Sequence, residues 1–547
     1  MAAVGTWLRR YWPYALLTTV IMLPLLMPGY ILTLDAVFTP RISAPASVSS
    51  DYVWRWLLHI LNMAVPSQVI EKAIFVAIPL LAGVGMHCLL SWLRRQFSTA
   101  SKNFIWDPAL YVGGILYVAN PFTYDRFMAG QYGVLMGYAL VPFIVRLLLQ
   151  FMEKPTLRRS IKSALLAVAI SIVSLPTIGE VALLVVCVFA VAVWRQRRQP
   201  AALRAYAKYG ATAALVFCVL SSYWLIPALL GKGIVASQVE TFTAAHTQAF
   251  ATTGSSVLAQ LAAVLRLQGF WAEPHHLFML PQDHTPAWGT IRLVMWAGVV
   301  TGAILYWRRA SRFAAIFTLA GAASALLAAG IFGGALAHVG YREPQKFAGV
   351  LALVFAVFIA CAAARLFAWA RARSETQYVL AAGAALFLVL IWTSTMYWGF
   401  AAQLRPRQYP QDWAAANRYL TKQQGDFNTV FLPWHQYMSF SFAGRIIATP
   451  AAHYFDKPVI VSNDPELGSI TPPAGALATQ IGHTVKPGSH SGNIAQQLAR
   501  ANVRYILLAK DYDFAKYQYL DGQPGLRRVM DSPKISIYEN KNWKGAR

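Results

Sequence analysis

The chain has 547 residues, of which 57% are hydrophobic and 13% charged, and its mean hydropathy is +0.45. A soluble domain carries about 25% charged residues, so a water-soluble protein is excluded and a polytopic membrane protein is indicated. The formal charge of +25 does not point to nucleic acid. Arg and Lys come in short clusters between apolar runs, which is the pattern that sets membrane orientation, and no basic domain with interleaved aromatics is present.

The first apolar run, from about Tyr11 to Leu34, follows Arg9-Arg10. It is too long for a signal peptide and lacks a small-residue cleavage site, so it reads as a first membrane helix with a cytoplasmic N-terminus. The stretch PGYILTLDAVFTP, Pro28 to Pro40, closes that run, and Asp35 in it is the first acidic residue. In DYVWRWLLHILNMAV, Asp51 to Val65, the residues Trp54, Leu57, Leu58 and Leu61 share one helical face. Trp and Tyr favour the headgroup layer, so this segment is expected as a helix on the outer membrane surface.

Further spans are expected at about Val69–Leu93, Pro108–Phe122 and Val134–Phe151, with a fifth and sixth sharing residues 163–194 around SLPTIGE. A seventh follows at Gly210–Leu230, an eighth ends at Arg308-Arg309, and a ninth runs to about Gly333. A tenth ends at Arg365, Arg371 and Arg373, and an eleventh covers Tyr378–Ala401. Each expected inner loop carries an Arg/Lys cluster, such as Arg94-Arg95 with Lys102, or Arg158-Arg159 with Lys162. The C-terminus is therefore expected outside.

From about Gln403 the texture changes. DWAAANRYLTKQ and NIAQQLARA read as helices, while NTVFLPW, VIVS, VRYILLA and KISIYEN read as strands. The fold class expected is an all-α polytopic membrane bundle of about eleven spans with a C-terminal extracytoplasmic α/β domain. Residues 1–402 form the membrane part, with outer loops 35–68, 231–287 and 333–348. Residues 403–547 form the second domain.

This topology gathers the outer polar residues: Asp35, Asp51, Asp125, Arg126, Gln131, Glu180, Glu240, His275-His276, Asp283-His284, Arg342, Glu343 and Lys346. Acids at such depth are costly unless paired or functional. Each also has a plain alternative. Asp35 can be an interfacial charge, and Asp125-Arg126 a local salt bridge. The histidine pairs lack good metal spacing. REPQK, Arg342 to Lys346, can hold a phosphate through charge-assisted bonds or anchor to lipid headgroups. No Walker loop, dinucleotide fingerprint, HExxH or nucleophile elbow is present.

The motifs LTLDAVFTP, NPFTYDRFMAGQYG, YWLIP, REPQKF and VFLPWHQY, with the surface helix and the C-terminal outer domain, resemble the GT-C membrane glycosyltransferases. The likeness is nearest to the branch with YfhO-like proteins and arabinofuranosyltransferases. It implies transfer of a sugar from a polyprenyl-phosphate donor to a glycan, lipid or protein acceptor at the outer face of the plasma membrane. Asp35 matches the family's acidic residue in the first outer loop, its general base, although Asp51, Asp125 or Glu180 could serve instead. Arg126, Arg342 and Lys346, or a divalent Mg²⁺ or Mn²⁺, would neutralise the leaving lipid phosphate. A transporter or flippase of lipid-linked glycans, and a non-catalytic member of the fold, are the competing readings.

Overall fold

The computed structural model describes residues 2–96, 106–240, 244–338, 341–467, 470, 476–487 and 493–545. Lys102 lies outside them, as do residues 339–340 of the last outer loop. The side chains of Glu240 and His338 are also outside the description. The chain divides into two compact units. One comprises Met1–Pro24, Pro45–Leu57 and Ala73–Gln403, and the other Leu25–Ala44, Leu58–Lys72 and Leu404–Arg547.

The first unit is a bundle of apolar helices. Among the described residues six are long and apolar enough to cross a membrane: Ser67–Arg94, Tyr132–Glu153, Leu175–Gln196, Pro200–Leu220, Trp288–Ala328 and Pro344–Arg371. A seventh arises if Glu375–Ile391 and Ser394–Ala401, bent by 66°, count as one span. The expected count of eleven is not reached, for identifiable physical reasons. Ala2–Met22 has the length, but Arg9, Arg10 and Pro13 reduce its apolar character. Trp106–Val118 has 13 residues, about 20 Å at helical rise, against a hydrocarbon core of about 30 Å. Leu157–Val173 has 17.

The expected eighth and ninth spans form two helices within Trp288–Ala328, joined at a break at Ala310 with φ −143° and ψ 54°. The chain folds back on itself there. Trp307 Nε1 donates to Thr318 Oγ1 at 3.1 Å across 11 positions, which a straight helix would hold about 16 Å apart. The Tyr306 and Phe317 rings likewise meet at 6.2 Å.

This folded element packs on Pro344–Arg371, whose most apolar window is 94% buried. That helix is enclosed by protein, whereas Pro200–Leu220, 6% buried, presents its surface outward. Small residues set the close approach. A Cβ at Gly302 would lie 1.8 Å from the Phe358 carbonyl oxygen, and one at Gly113 2.8 Å from that of Ala356. The expected surface helix forms as Tyr52–Asn62.

The second unit is built on a five-stranded sheet. Its strands are β1 (Asn428–Leu432), β4 (Val459–Ile460), β5 (Val503–Ala509), β6 (Leu526–Asp531) and β7 (Ile535–Asn540), in the order β4-β1-β5-β7-β6. A separate hairpin pairs β2 (Tyr437–Phe440) with β3 (Arg445–Ala448). β1 lies parallel to β4 and β5, and β7 runs antiparallel to β5 and β6. Val430, Leu432, Ile506 and Leu508 of the central strands pack against Ile481, Ile494 and Leu498 of the covering helices. The sequence reading missed the hairpin and β6, whose burial pattern shows no regular alternation.

In this unit the stretch after the first helix is tied to the segment that begins the second span. Gly29 N donates to Gln68 Oε1 at 2.9 Å, the Tyr30 and Ser67 hydroxyls lie 3.0 Å apart, and Ile31 N donates to Glu71 Oε2 at 3.0 Å. Tyr30 also pairs with Arg407 as an isolated antiparallel bridge.

Candidate functional site

In the bundle, the short helix Pro121–Ala129 carries Asp125 and Arg126. Asn120 and Thr123 form a reciprocal capping box, Pro121 sits in the first turn, and Gly130 closes the helix in the left-handed region at φ 77°. These are the residues that start and stop a helix in sequence. All nine residues of this helix are buried, so Asp125 and Arg126 face protein and need partners.

Arg126 finds two. Its Nη1 donates to Glu343 Oε2 at 2.8 Å and to Gln131 Oε1 at 2.7 Å, and its guanidinium lies 4.3 Å from the Phe270 ring centroid. Glu343 opens the tight turn Pro344–Phe347, so Lys346 returns to it and Lys346 Nζ donates to Glu343 Oε1 at 3.0 Å. Arg342 Nε lies 3.8 Å from the same carboxylate, with its guanidinium over the Phe250 ring. Burial pushes the Glu343 carboxyl up, but Lys346, Arg126 and Arg342 outweigh it and hold the group well below the usual carboxylate range. Glu343 is thus an anion among three cations, and the cluster keeps an excess of positive charge.

Asp125 lies beside Glu273, whose charge acts on it. Glu273 Oε1 in turn accepts the backbone N–H groups of Gly269 and Phe270 at 2.8 and 2.9 Å. Burial, then the Glu273 carboxylate, push Asp125 well above its ordinary value. Two carboxyls so placed oppose ionising together. A cleft of about 170 Å³ of empty space, counting its open side, adjoins the pair and is lined by Phe122, Asp125, Arg126, Gln268, Phe270 and Gln345 among others. Two buried polar atoms of its lining, Arg126 Nε and Gln345 Oε1, lack a hydrogen-bond partner among the described residues. Glu180, 1% exposed, also has its Oε2 unpartnered.

The structure thus brings together Arg126, Gln131, Glu343, Lys346 and Arg342, with Asp125 on the adjoining helix face. Asp51 stands apart at the start of the surface helix, where the Ser49 hydroxyl donates to it. Asp35 belongs to the second compact unit. It lies exposed in the Thr33–Ala36 turn and accepts the Tyr437 hydroxyl at 3.0 Å. Two acids escaped the sequence reading. Glu273 lies in GFWAEPHHLF, where the histidines draw attention, and Glu71, 0% exposed, reads as an ordinary charge at a span start. His275 and His276 are exposed, and among the described residues no group of three His, Cys, Asp or Glu side chains gathers to hold a metal ion.

Residues 277–536 match the family model of the alpha-(1->3)-arabinofuranosyltransferase N-terminal GT-C domain. The cryo-EM structure of arabinofuranosyltransferase AftD from Mycobacteria aligns with 99% of this chain at TM-score 0.63 and 16% identity. The chain has the fold of that enzyme, and residues 277–536 match a GT-C domain. A mutant of the same mycobacterial enzyme gives TM-score 0.62 at 15% identity, again over 99% of this chain. This chain spans 40% and 42% of the lengths of those two. No curated protein matches it. The fold and the apolar helices make this a multi-pass membrane protein. The GT-C match begins inside the bundle and continues through the sheet, so both compact units contribute to it.

Proposed function

We propose that this protein is a membrane glycosyltransferase that moves a sugar from a polyprenyl-phosphate carrier to an envelope glycan, lipid or protein acceptor. The observation that carries this reading is the match of residues 277–536 to an arabinofuranosyltransferase GT-C domain, which makes arabinofuranose the first sugar to test. The Arg/Lys clusters of the expected inner loops support a cytoplasmic N-terminus and an extracytoplasmic sheet domain.

In the proposed reaction an acceptor hydroxyl oxygen attacks the anomeric carbon and its proton passes to the Asp35 carboxylate. The bond from that carbon to the lipid phosphate oxygen breaks, and the electron pair leaves with the phosphate. A hydroxyl is a poor nucleophile, and a positioned base contributes typically 10²–10⁴-fold. The departing phosphate gains charge, for which Arg126, Arg342 and Lys346 are the proposed cations. The hydroxyl of Tyr437 on Asp35 supports the ionised form the base needs. A divalent Mg²⁺ or Mn²⁺ held with the substrate phosphate would supply the same charge.

The test is transfer from a polyprenyl-phospho-arabinofuranose to a saccharide acceptor by the full chain in lipid nanodiscs. Wild type should turn over, and Asp35→Asn should lose about 10²-fold or more at unchanged expression. Equal rates would remove Asp35 as the base. No transfer by wild type from any polyprenyl-phosphate sugar would remove the function.

A further inference from the structure

The three parallel strands of the second unit stand in the order β4-β1-β5. From β1 the chain steps to one side to make β4, then crosses to the other side of β1 to make β5. Open α/β sheets with this arrangement bind ligands beyond the carboxyl ends of the strands, at the point where the winding reverses. Here that point lies between β1 and β5.

The loops that leave those carboxyl ends converge. His435 follows β1, Glu466 follows β4, and Asp511, Tyr512 and Asp513 follow β5. The His435 ring lies between two carboxylates, with Nδ1 2.7 Å from Glu466 Oε1 and Nε2 3.2 Å from Asp513 Oδ1. The Tyr512 ring stands edge-on to it, 5.0 Å between centroids, and is 61% exposed. Tyr512 holds φ at +54°, a region that bulky residues avoid. At the same rim Asp511, 4% exposed, uses Oδ1 to accept the Ser441 N–H at 2.8 Å, while its buried Oδ2 has no partner among the described residues.

The chemistry of this cluster selects its ligand. Of the nearby ammonium groups, Lys516 lies 3.2 Å from Asp513, Lys486 3.1 Å from Asp464, and Lys534 donates to the Ser441 hydroxyl at 3.1 Å. Among the described residues the carboxylates Asp464, Glu466, Asp511 and Asp513 outnumber these ammonium groups, which disfavours a phosphate or nucleotide. The carboxylates offer acceptor oxygens to hydroxyl groups, His435 holds two of them in place, and an exposed aromatic ring offers a flat apolar face. A neutral polyhydroxylated molecule satisfies both. Tyr437, two residues beyond His435, carries the hydroxyl that donates to Asp35.

We infer that the crevice at the carboxyl ends of β1 and β5 binds a neutral saccharide, with Tyr512 as the stacking surface, Glu466, Asp511 and Asp513 as hydroxyl partners, and His435 positioning Glu466 and Asp513. In the proposed transferase that saccharide is the acceptor. Its role as acceptor rests on the function proposed above, whereas its binding does not.

Binding is read by titrating the full chain in nanodiscs with neutral arabino-oligosaccharides and, in parallel, galacto-oligosaccharides. The informative variants are Tyr512→Gly and Asp513→Asn. Glycine adopts the left-handed backbone freely, so Tyr512→Gly removes the ring without lowering the thermal midpoint. Wild type should bind at least one of the two probes. Both variants should bind about tenfold more weakly or worse, the usual effect of truncating an interface anchor. A wild-type protein that binds neither probe, or variants that bind as wild type does, overturns the inference. Binding that the variants abolish in a protein without transferase activity upholds the crevice and removes only the acceptor role. In an active enzyme Tyr512→Gly should raise the acceptor KM and leave kcat nearly unchanged. A loss confined to kcat overturns the assignment of the acceptor.

Discussion

Arg126 and Glu343 stand 217 positions apart in sequence and 2.8 Å apart in the fold, with side chains 1% and 2% exposed. Such a pair owes its place to the desolvation penalty. Neither charge tolerates burial alone, so each fixes the position of the other. Removing the anion as Glu343→Gln leaves Arg126 and Lys346 as under-compensated buried cations. The expected loss is about 3–5 kcal/mol, read by denaturant or thermal unfolding in nanodiscs. A loss below about 1 kcal/mol, the range of an exposed pair, would contradict the burial.

The same bundle contains two carboxyls whose titration works in opposite directions. Glu343 is depressed on folding, so its contribution is present above its ordinary value of 4.5 and is lost as pH falls through the lower folded value. Asp125 is raised, by burial first and then by Glu273, so its contribution is complete below 3.8 and declines as pH rises through the folded value. Asp125→Asn keeps an N–H donor for Glu273 and removes the titration. Unfolding midpoints measured over roughly pH 4 to 9 should fall on the alkaline side in wild type and flatten in the variant. Parallel curves would dismiss the raised Asp125 carboxyl.

Gly302 lies where the folded element Trp288–Ala328 meets the enclosed helix, and any Cβ there collides with the Phe358 carbonyl. Gly302→Val should destabilise the bundle by about 1–3 kcal/mol, the typical effect of overpacking. Gly289, with nothing within 4 Å of its added Cβ, is the control and should tolerate alanine. Thermal unfolding of the two variants side by side decides the point.

Tyr437→Phe deletes the hydroxyl that donates to Asp35 while keeping the ring. If Asp35 is the base, its carboxyl loses one stabilising hydrogen bond to the ionised form, and the acidic limb of the pH–rate profile moves toward higher pH. An unmoved limb with normal turnover would separate Tyr437 from the reaction.

If Arg126, Arg342 and Lys346 meet the charge of the leaving phosphate as proposed, transfer should persist in EDTA. Abolition by EDTA with recovery on added Mg²⁺ or Mn²⁺ would assign the leaving-group charge to a metal ion.

The sequence by itself determined the membrane character, the helical bundle, the surface helix at Tyr52–Asn62 and the mixed helix-and-strand texture after Gln403. Those signals are local, because apolar run length, helical periodicity and capping residues act over a few turns of chain. It also picked out Asp125, Arg126, Gln131, Glu343 and Lys346, since charged residues stand out against apolar neighbours. Tertiary structure decided what local pattern does not encode. The two helices that meet at Ala310 pack together on Pro344–Arg371, and Glu273 becomes the partner of Asp125. The strand order β4-β1-β5 brings His435 to Asp513. Each depends on groups distant in sequence finding one another so that buried charge is paired and backbone polar groups are satisfied. That energy exists only once the chain is folded.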